Sequence, residues 1–265
     1  MMQRSLITFL FTTLLFSSCS TSAEILPTAT SLPTPTEEQQ ATPSQATGGA
    51  GWQLLDLNEI LQQPQGGIKY TEYLDRSTMS LGLYDLPPGA IDPHTPHRLD
   101  EVIYVVQGEA DLRLGDEVFP VGPGSVAYVR AGVSHSFENI RSYIRSLVLF
   151  SKVPSNEDND PWTLSNLEEV LERRSASSNV WEQFVTQSTL RFGMYMLPER
   201  LDGDSPLTHT FDEINIVVNG SGVFRIEQED IAIGSGSIMF VEAGLAHSFH
   251  SLEEDIDVLI FWDGN

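Results

Sequence analysis

Five chemically distinctive residues of this chain recur at one fixed offset. His97, Glu101, Gly108, Gly132 and His135 are matched by His209, Glu213, Gly220, Gly244 and His247, each 112 positions further on. The first run reads His94-x-x-His97-x-x-x-Glu101-x6-Gly108, then Val129-Arg130-Ala131-Gly132-Val133-Ser134-His135-x3-Asn139. The second reads His209-x-x-x-Glu213-x6-Gly220, then Val241-Glu242-Ala243-Gly244-Leu245-Ala246-His247. His94 has no counterpart, because Pro206 stands in its place. A duplicated domain follows, with one set complete and one short of a member. The 265 residues suit two domains of about 100–150 residues.

The duplication extends beyond these runs. Leu57-Asn58-Glu59-Ile60-Leu61 parallels Leu167-Glu168-Glu169-Val170-Leu171, each reading as a short helix that opens its repeat. Thr78 to Pro87 parallels Thr189 to Pro198 at a shift of 111, so one residue was gained between Pro198 and His209. That is the loop in which the first histidine is missing.

Between these landmarks lie short runs such as Val102–Val106, Ala110–Leu114, Val126–Val129 and Ser146–Phe150, separated by Gly, Asp and Pro turns. β-Branched and aromatic runs at this spacing predict an all-β sandwich or barrel in each repeat. The polar, Pro-terminated stretch Ser155–Pro161 separates the two. The expected division is an N-terminal domain over 52–154, a linker and short helix over 155–175, and a C-terminal domain over 176–265.

The amino terminus is set apart from the fold. Arg4, the apolar run Leu6–Phe16 and Ser17-Ser18-Cys19 resemble a bacterial lipoprotein signal over residues 1–19, with Cys19 the lipidated residue after cleavage. Residues 20–51, rich in Thr, Ser, Pro, Ala, Gln and Gly, read as a disordered tether, with folding starting near Trp52. The expected location is membrane-anchored, facing the periplasm or the cell exterior, with the lipid as the membrane attachment. A single cysteine forms no internal disulfide. The formal charge of −23 argues against nucleic acid as a partner, since phosphate binding needs clustered Lys and Arg.

His97 and Glu101, four apart, would share one face of a strand, whereas His94 would face away unless the flanking Pro93 and Pro96 bend the chain. His135 can complete the cluster from a later strand. The same alternation turns Arg98 to the opposite face, away from a role as a substrate clamp. Three imidazoles and a carboxylate suit one divalent transition metal, whether Mn, Fe, Co, Ni, Cu or Zn. In the second repeat His209, Glu213 and His247 leave at most a weak second site. Asp204 is a candidate substitute ligand, and His250 faces away.

The two runs resemble the paired motifs of the cupin superfamily. Gly89, His94, His97, Glu101 and Gly108 match the first, and Gly124, Gly132, His135 and Asn139 the second. An extra residue separates the histidines, and Arg130 replaces the second motif's proline. The likeness, over about 75–150 and 188–262, implies a bicupin: two tandem jelly-roll (double-stranded β-helix) barrels. It also implies His94, His97, Glu101 and His135 as metal ligands.

Intact bicupins act on small organic acids and phenols as dioxygenases, oxalate decarboxylases or hydrolases. The leading expectation is therefore an exported, metal-dependent oxidoreductase or lyase with a small-molecule substrate. A non-catalytic metal- or small-ligand-binding lipoprotein is the alternative. An isomerase using Tyr104 or Tyr128 as its acid is a third reading. The second barrel is expected to serve structure or the contact of a homodimer.

Overall fold

A computed structural model describes residues 47–156, 159–174, 180–201 and 203–264; the expected export signal, Cys19 and most of the expected tether lie outside them. Folded structure is already present ahead of Trp52, because β1 (Thr47–Gly49) pairs with β2 (Trp52–Asp56) as a hairpin. Helix α1 (Leu57–Leu61) follows. The first repeat then runs through β3 (Lys69–Asp75), β4 (Met79–Leu86), β5 (Glu101–Gln107), β6 (Ala110–Leu114), β7 (Glu117–Val121), β8 (Ser125–Val129), β9 (His135–Glu138) and β10 (Ile144–Ser151).

The second repeat opens the same way, with β11 (Trp162–Asn166) and α2 (Leu167–Arg174). It continues through β12 (Trp181–Thr186), β13 (Leu190–Leu197), β14 (Glu213–Asn219), β15 (Ser221–Ile226), β16 (Glu229–Gly234), β17 (Ser237–Val241), β18 (His247–His250) and β19 (Ile256–Asp263). Both helices start on a side-chain cap: Asp56 accepts from Asn58 N–H at 2.7 Å, and Asn166 from Glu168 N–H at 2.8 Å.

Each barrel pairs a large antiparallel sheet with a small one. The first has β11-β8-β5-β10-β4-β3 against β7-β6-β9; the second has β1-β2-β17-β14-β19-β13-β12 against β16-β15-β18. The lead strands are exchanged. β2, which precedes the first repeat, pairs with β17 of the second barrel, from Trp52↔Val241 to Asp56↔Ser237. β11, which precedes the second repeat, pairs with β8 of the first, from Trp162↔Val129 to Asn166↔Ser125. The linker and short helix expected over 155–175 therefore also contain a strand that completes the barrel before them. The expected boundaries miss this exchange because a strand's sequence specifies its faces, not its neighbour.

Alternation along the strands explains the packing. On β5, Ile103 and Val105 point into the first barrel, while Val102 and Tyr104 point outward into a core shared with the second. On β14, Val217 faces inward and Ile214 and Ile216 join that shared core. The central strands β4, β10, β14 and β19 of the large sheets are buried on both faces along most of their length, whereas the edge strands β3 and β12 are partly exposed. The motif glycines Gly108 (φ +90°) and Gly220 (φ +89°) occupy a left-handed conformation, and a Cβ there would run into the backbone carbonyl of Tyr143 or Asp255.

Candidate metal centre

The donor atoms of His94, His97, Glu101 and His135 lie within 4.8 Å of one another. Only Glu101 and His135 sit on strands, at the first residues of β5 and β9; His94 and His97 lie on the loop between β4 and β5. His97 and Glu101 are therefore neighbours because of the loop before β5, not because of strand alternation. The loop does the positioning. Asp92 holds it, accepting from Tyr84 Oη at 2.6 Å, from His94 N–H at 3.1 Å and from Phe137 N–H of β9 at 2.8 Å.

The second brace is Asp100, fully buried next to Glu101. It accepts from Tyr128 Oη at 2.8 Å, Ala131 N–H at 2.8 Å, Ser155 Oγ at 2.5 Å, Asn159 Nδ2 at 3.3 Å, and the Thr189 hydroxyl. Burial works to raise its pKa, but these donors outweigh it and hold the carboxyl below its ordinary value. Neither aspartate was singled out from sequence. The signal was available: Asp92 and Asp100 recur as Asp204 and Asp212 at the same shift of 112.

Arg130, where the family motif has proline, is also explained. Its N–H donates to Pro161 O at 3.0 Å and its guanidinium to Asn159 O at 2.6 Å. Proline could make neither bond, and the returning linker would lose its seat.

The cluster has the chemistry of a cation site. His135 Nδ1 is 2.9 Å from the Val133 carbonyl, which can only accept, so that nitrogen carries the proton. Nε2 is left facing Glu101 Oε1 at 2.6 Å without a hydrogen bond between them. Burial pulls the His135 pKa down, but the Glu101 carboxylate and the Val133 carbonyl more than offset this, and it is raised. His94 goes the other way, to about 4, through burial and then the neighbouring His135. His94 Nε2, His135 Nε2 and Glu101 Oε2 are all buried without a hydrogen-bond partner. Orphaned acceptors facing one another are unstable unless a cation lies between them, so the residues present fit a metal ion.

They line a cavity of about 570 Å³ whose walls include Tyr70, Tyr84, Phe150, Val148, Arg98 and Lys152. Arg98 thus faces the cavity rather than away from it: residue 98 lies in a bend, so strand alternation does not apply. Tyr104 and Tyr128 do not line it. Tyr104 packs against the shared core and Tyr128 is bonded to Asp100, so neither is placed to act as the acid of an isomerase in this cavity.

The second barrel has solved the same problem differently. His209, Glu213 and His247 converge, and His247 Nδ1 again faces a carbonyl, Leu245 O, at 3.0 Å. Here, however, Glu213 accepts from Asn215 Nδ2 at 2.8 Å and from Trp262 Nε1 at 2.6 Å, with His247 Nε2 2.8 Å away. The equivalent positions in the first barrel, 112 residues earlier, are Ile103 and Phe150. Burial would raise the Glu213 pKa, but His247 and these donors lower it, while His247 is raised. Asp204 is not a substitute ligand: it accepts from Tyr195 Oη at 3.1 Å and Phe249 N–H at 2.7 Å, the role of Asp92. His250 turns away and contacts Asp230 at 3.1 Å.

Comparison with known proteins agrees with this architecture. Residues 82–145 match the cupin domain family and residues 200–262 the AraC-like ligand binding domain family. An uncharacterized protein of Streptomyces coelicolor is 46% identical over 82 residues, 31% of this chain and 78% of its own length. A cupin 2 conserved barrel domain protein from Leptotrichia buccalis has a TM-score of 0.63 at 14% identity, covering 79% of this chain and 95% of its own. Salicylate 1,2-dioxygenase from Pseudaminobacter salicylatoxidans has a TM-score of 0.64 at 13% identity, covering 85% of each chain. The chain belongs to the cupin superfamily, as a tandem pair of cupin barrels.

Proposed function

We propose that this chain is an exported, metal-dependent enzyme, an oxidoreductase or lyase, acting on a small organic acid or phenol in its first barrel. One observation carries the reading: three buried donor atoms without hydrogen-bond partners, in a four-residue cluster lining a largely apolar cavity of about 570 Å³. His94, His97, Glu101 and His135 would hold one divalent transition metal, Mn or Fe by preference, which when bound supplies a Lewis acid and a means of engaging dioxygen.

The chain's own residues supply the rest. Val133 O fixes the His135 tautomer, so that Nε2 is the donor presented inward. Tyr70, Val148 and Phe150 give the cavity an apolar wall. Arg98 has no ion pair or hydrogen bond among the described residues and offers its guanidinium to an anionic substrate group. Lys152, at the same cavity, is already held by Asp75. In a chain of 14 Lys and Arg against 37 Asp and Glu, a free cation at the cavity selects for acids. A mutant of salicylate 1,2-dioxygenase, similar in fold at 13% identity, has been captured with gentisate, which supports looking for an acid or phenol here.

Residues 1–19 would direct export, with lipid at Cys19 and the following Ser/Thr/Pro-rich stretch as tether. The test is to purify the full chain without chelator or histidine tag and measure bound metals. Oxygen uptake and carbon dioxide release are then followed with hydroxybenzoates and small dicarboxylic acids. Bound metal with turnover of an acid is the expected result. Metal without turnover of any of them would leave a binding lipoprotein, and no metal after reconstitution would overturn the reading.

A further inference from the structure

Each barrel reaches into the other with a threonine hydroxyl. Thr189, fully buried just before β13, donates to Asp100 Oδ2 of the first barrel. Thr78, just before β4, donates to Asp212 Oδ2 of the second at 2.5 Å. The two contacts are mirror images produced by the duplication, since Thr78 and Thr189 differ by 111 and Asp100 and Asp212 by 112.

What lies behind each aspartate is also duplicated. Asp100 accepts from Ala131 N–H, in the turn whose next residue, Gly132, donates to His97 O at 2.8 Å. The residue after that, Val133, supplies the carbonyl that orients His135. Glu101 follows Asp100 directly in the chain. Three of the four clustered residues are therefore held through this one carboxylate. In the second barrel Asp212 accepts from Ala243 N–H at 2.8 Å, Gly244 donates to His209 O at 2.8 Å, and Leu245 O orients His247.

Asp100 is out of reach of water, so its orientation is set wholly by protein donors. Tyr128, Ala131, Ser155 and Asn159 belong to the first barrel or the linker; Thr189 is the donor that comes from the second. Without it, Oδ2 keeps Tyr128 and a long contact from Asn159.

We infer that Thr189 is a positioning residue for the first barrel's metal centre: it fixes Asp100, and Asp100 fixes Glu101, His97 and His135. This rests on the metal reading proposed above. It gives the second barrel a task that needs no metal of its own, holding the centre of its neighbour in register.

The mirror contact supplies the control. In the full chain, Thr189→Val and Thr78→Val each remove one interbarrel hydroxyl and keep the side chain's shape. Affinity for Mn²⁺ and for Zn²⁺ is read by competition with a chromophoric chelator, beside thermal unfolding. Thr189→Val should weaken metal affinity by about threefold or more, since Thr189 acts on the clustered residues only through Asp100, and Thr189→Ser should restore it. Thr78→Val should lower stability and leave affinity unchanged. Equal affinity loss in both would mean general loosening and overturn the inference, as would unchanged affinity in Thr189→Val. A wild-type chain that binds neither ion would overturn the metal reading and this inference together.

Discussion

Trp262 donates its indole N–H to Glu213 Oε2 at 2.6 Å, where the first barrel sets Phe150, which has no such donor, near Glu101. With Asn215 on the other oxygen, the second carboxylate has protein partners that the first lacks. Loss of the histidine at Pro206 is thus one of three differences that should weaken metal binding in this barrel, where His209, Glu213 and His247 still converge. Pro206→His alone should leave metal content at one ion per chain. The triple change Pro206→His, Asn215→Ile and Trp262→Phe should raise it toward two, as measured by elemental analysis. A second ion in the single variant would show that the hydrogen bonds to Glu213 are no obstacle.

The two glutamates should then fail differently. Glu101→Gln removes a donor and should abolish both metal retention and the rise in melting temperature on adding metal, since an ion that binds only the folded state stabilises by mass action. Glu213→Gln should leave metal content unchanged but cost about 1–3 kcal/mol, because it disturbs a buried carboxylate bonded to Asn215 and Trp262 and paired with His247. Denaturant unfolding with chelator present measures the second, and an unperturbed midpoint would contradict it.

Much of this was legible in the sequence because duplication prints a site twice. His97, Glu101 and His135 stand out through their partners at 209, 213 and 247, and the turn-separated runs give the strands. The exchange of β2 and β11 was not legible, because backbone pairing leaves no trace in side-chain pattern. Arg98 faces the cavity against expectation because alternation does not hold in a loop, where flanking prolines and Asp92, not a pleat, set direction. Asp204 reads as a spare ligand in the sequence, but it braces its loop through Phe249 N–H as Asp92 does through Phe137 N–H.

Acid should weaken the metal-free protein through His94. Its folded pKa, about 4, lies below the ordinary value of 6.5, so between these limits the unfolded chain binds more protons and stability falls as pH falls. His135 and His247, raised in the folded state, act oppositely: their contribution is complete below 6.5 and is lost as pH climbs through their raised values. The difference in melting temperature between wild type and His94→Gln, followed with chelator from about pH 7 to about pH 4, separates the two effects. The wild type should lose more stability over that interval, and parallel curves would show that His94 is not held neutral.

Substrate charge should be read by Arg98. Arg98→Met keeps the aliphatic stem and removes the guanidinium, so KM for carboxylated substrates should rise about tenfold or more, in line with 1.5–3 kcal/mol for a hydrogen bond to a charged group. Neutral phenols should be little affected, and kcat for the acids should change less than KM. Steady-state kinetics over a matched set of acids and neutral analogues decides this, and equal losses for both would place Arg98 outside recognition.

The tether makes a separate prediction, tested without any assay of chemistry. If Cys19 carries lipid, the full chain expressed in a bacterium should fractionate with membranes and enter the detergent phase on phase separation. Cys19→Ser should leave it exported but soluble. Among the described residues no helix is long and apolar enough to cross a bilayer, so the signal segment and the lipid are the two anchors this experiment separates. One acyl chain holds a protein only marginally, so the multiply acylated cysteine of a lipoprotein should survive a high-salt wash that strips a surface-bound protein. With a charge of −23, the chain has no electrostatic hold on anionic headgroups to imitate that result. Membrane association that persists in Cys19→Ser would point to an uncleaved signal segment in place of lipid.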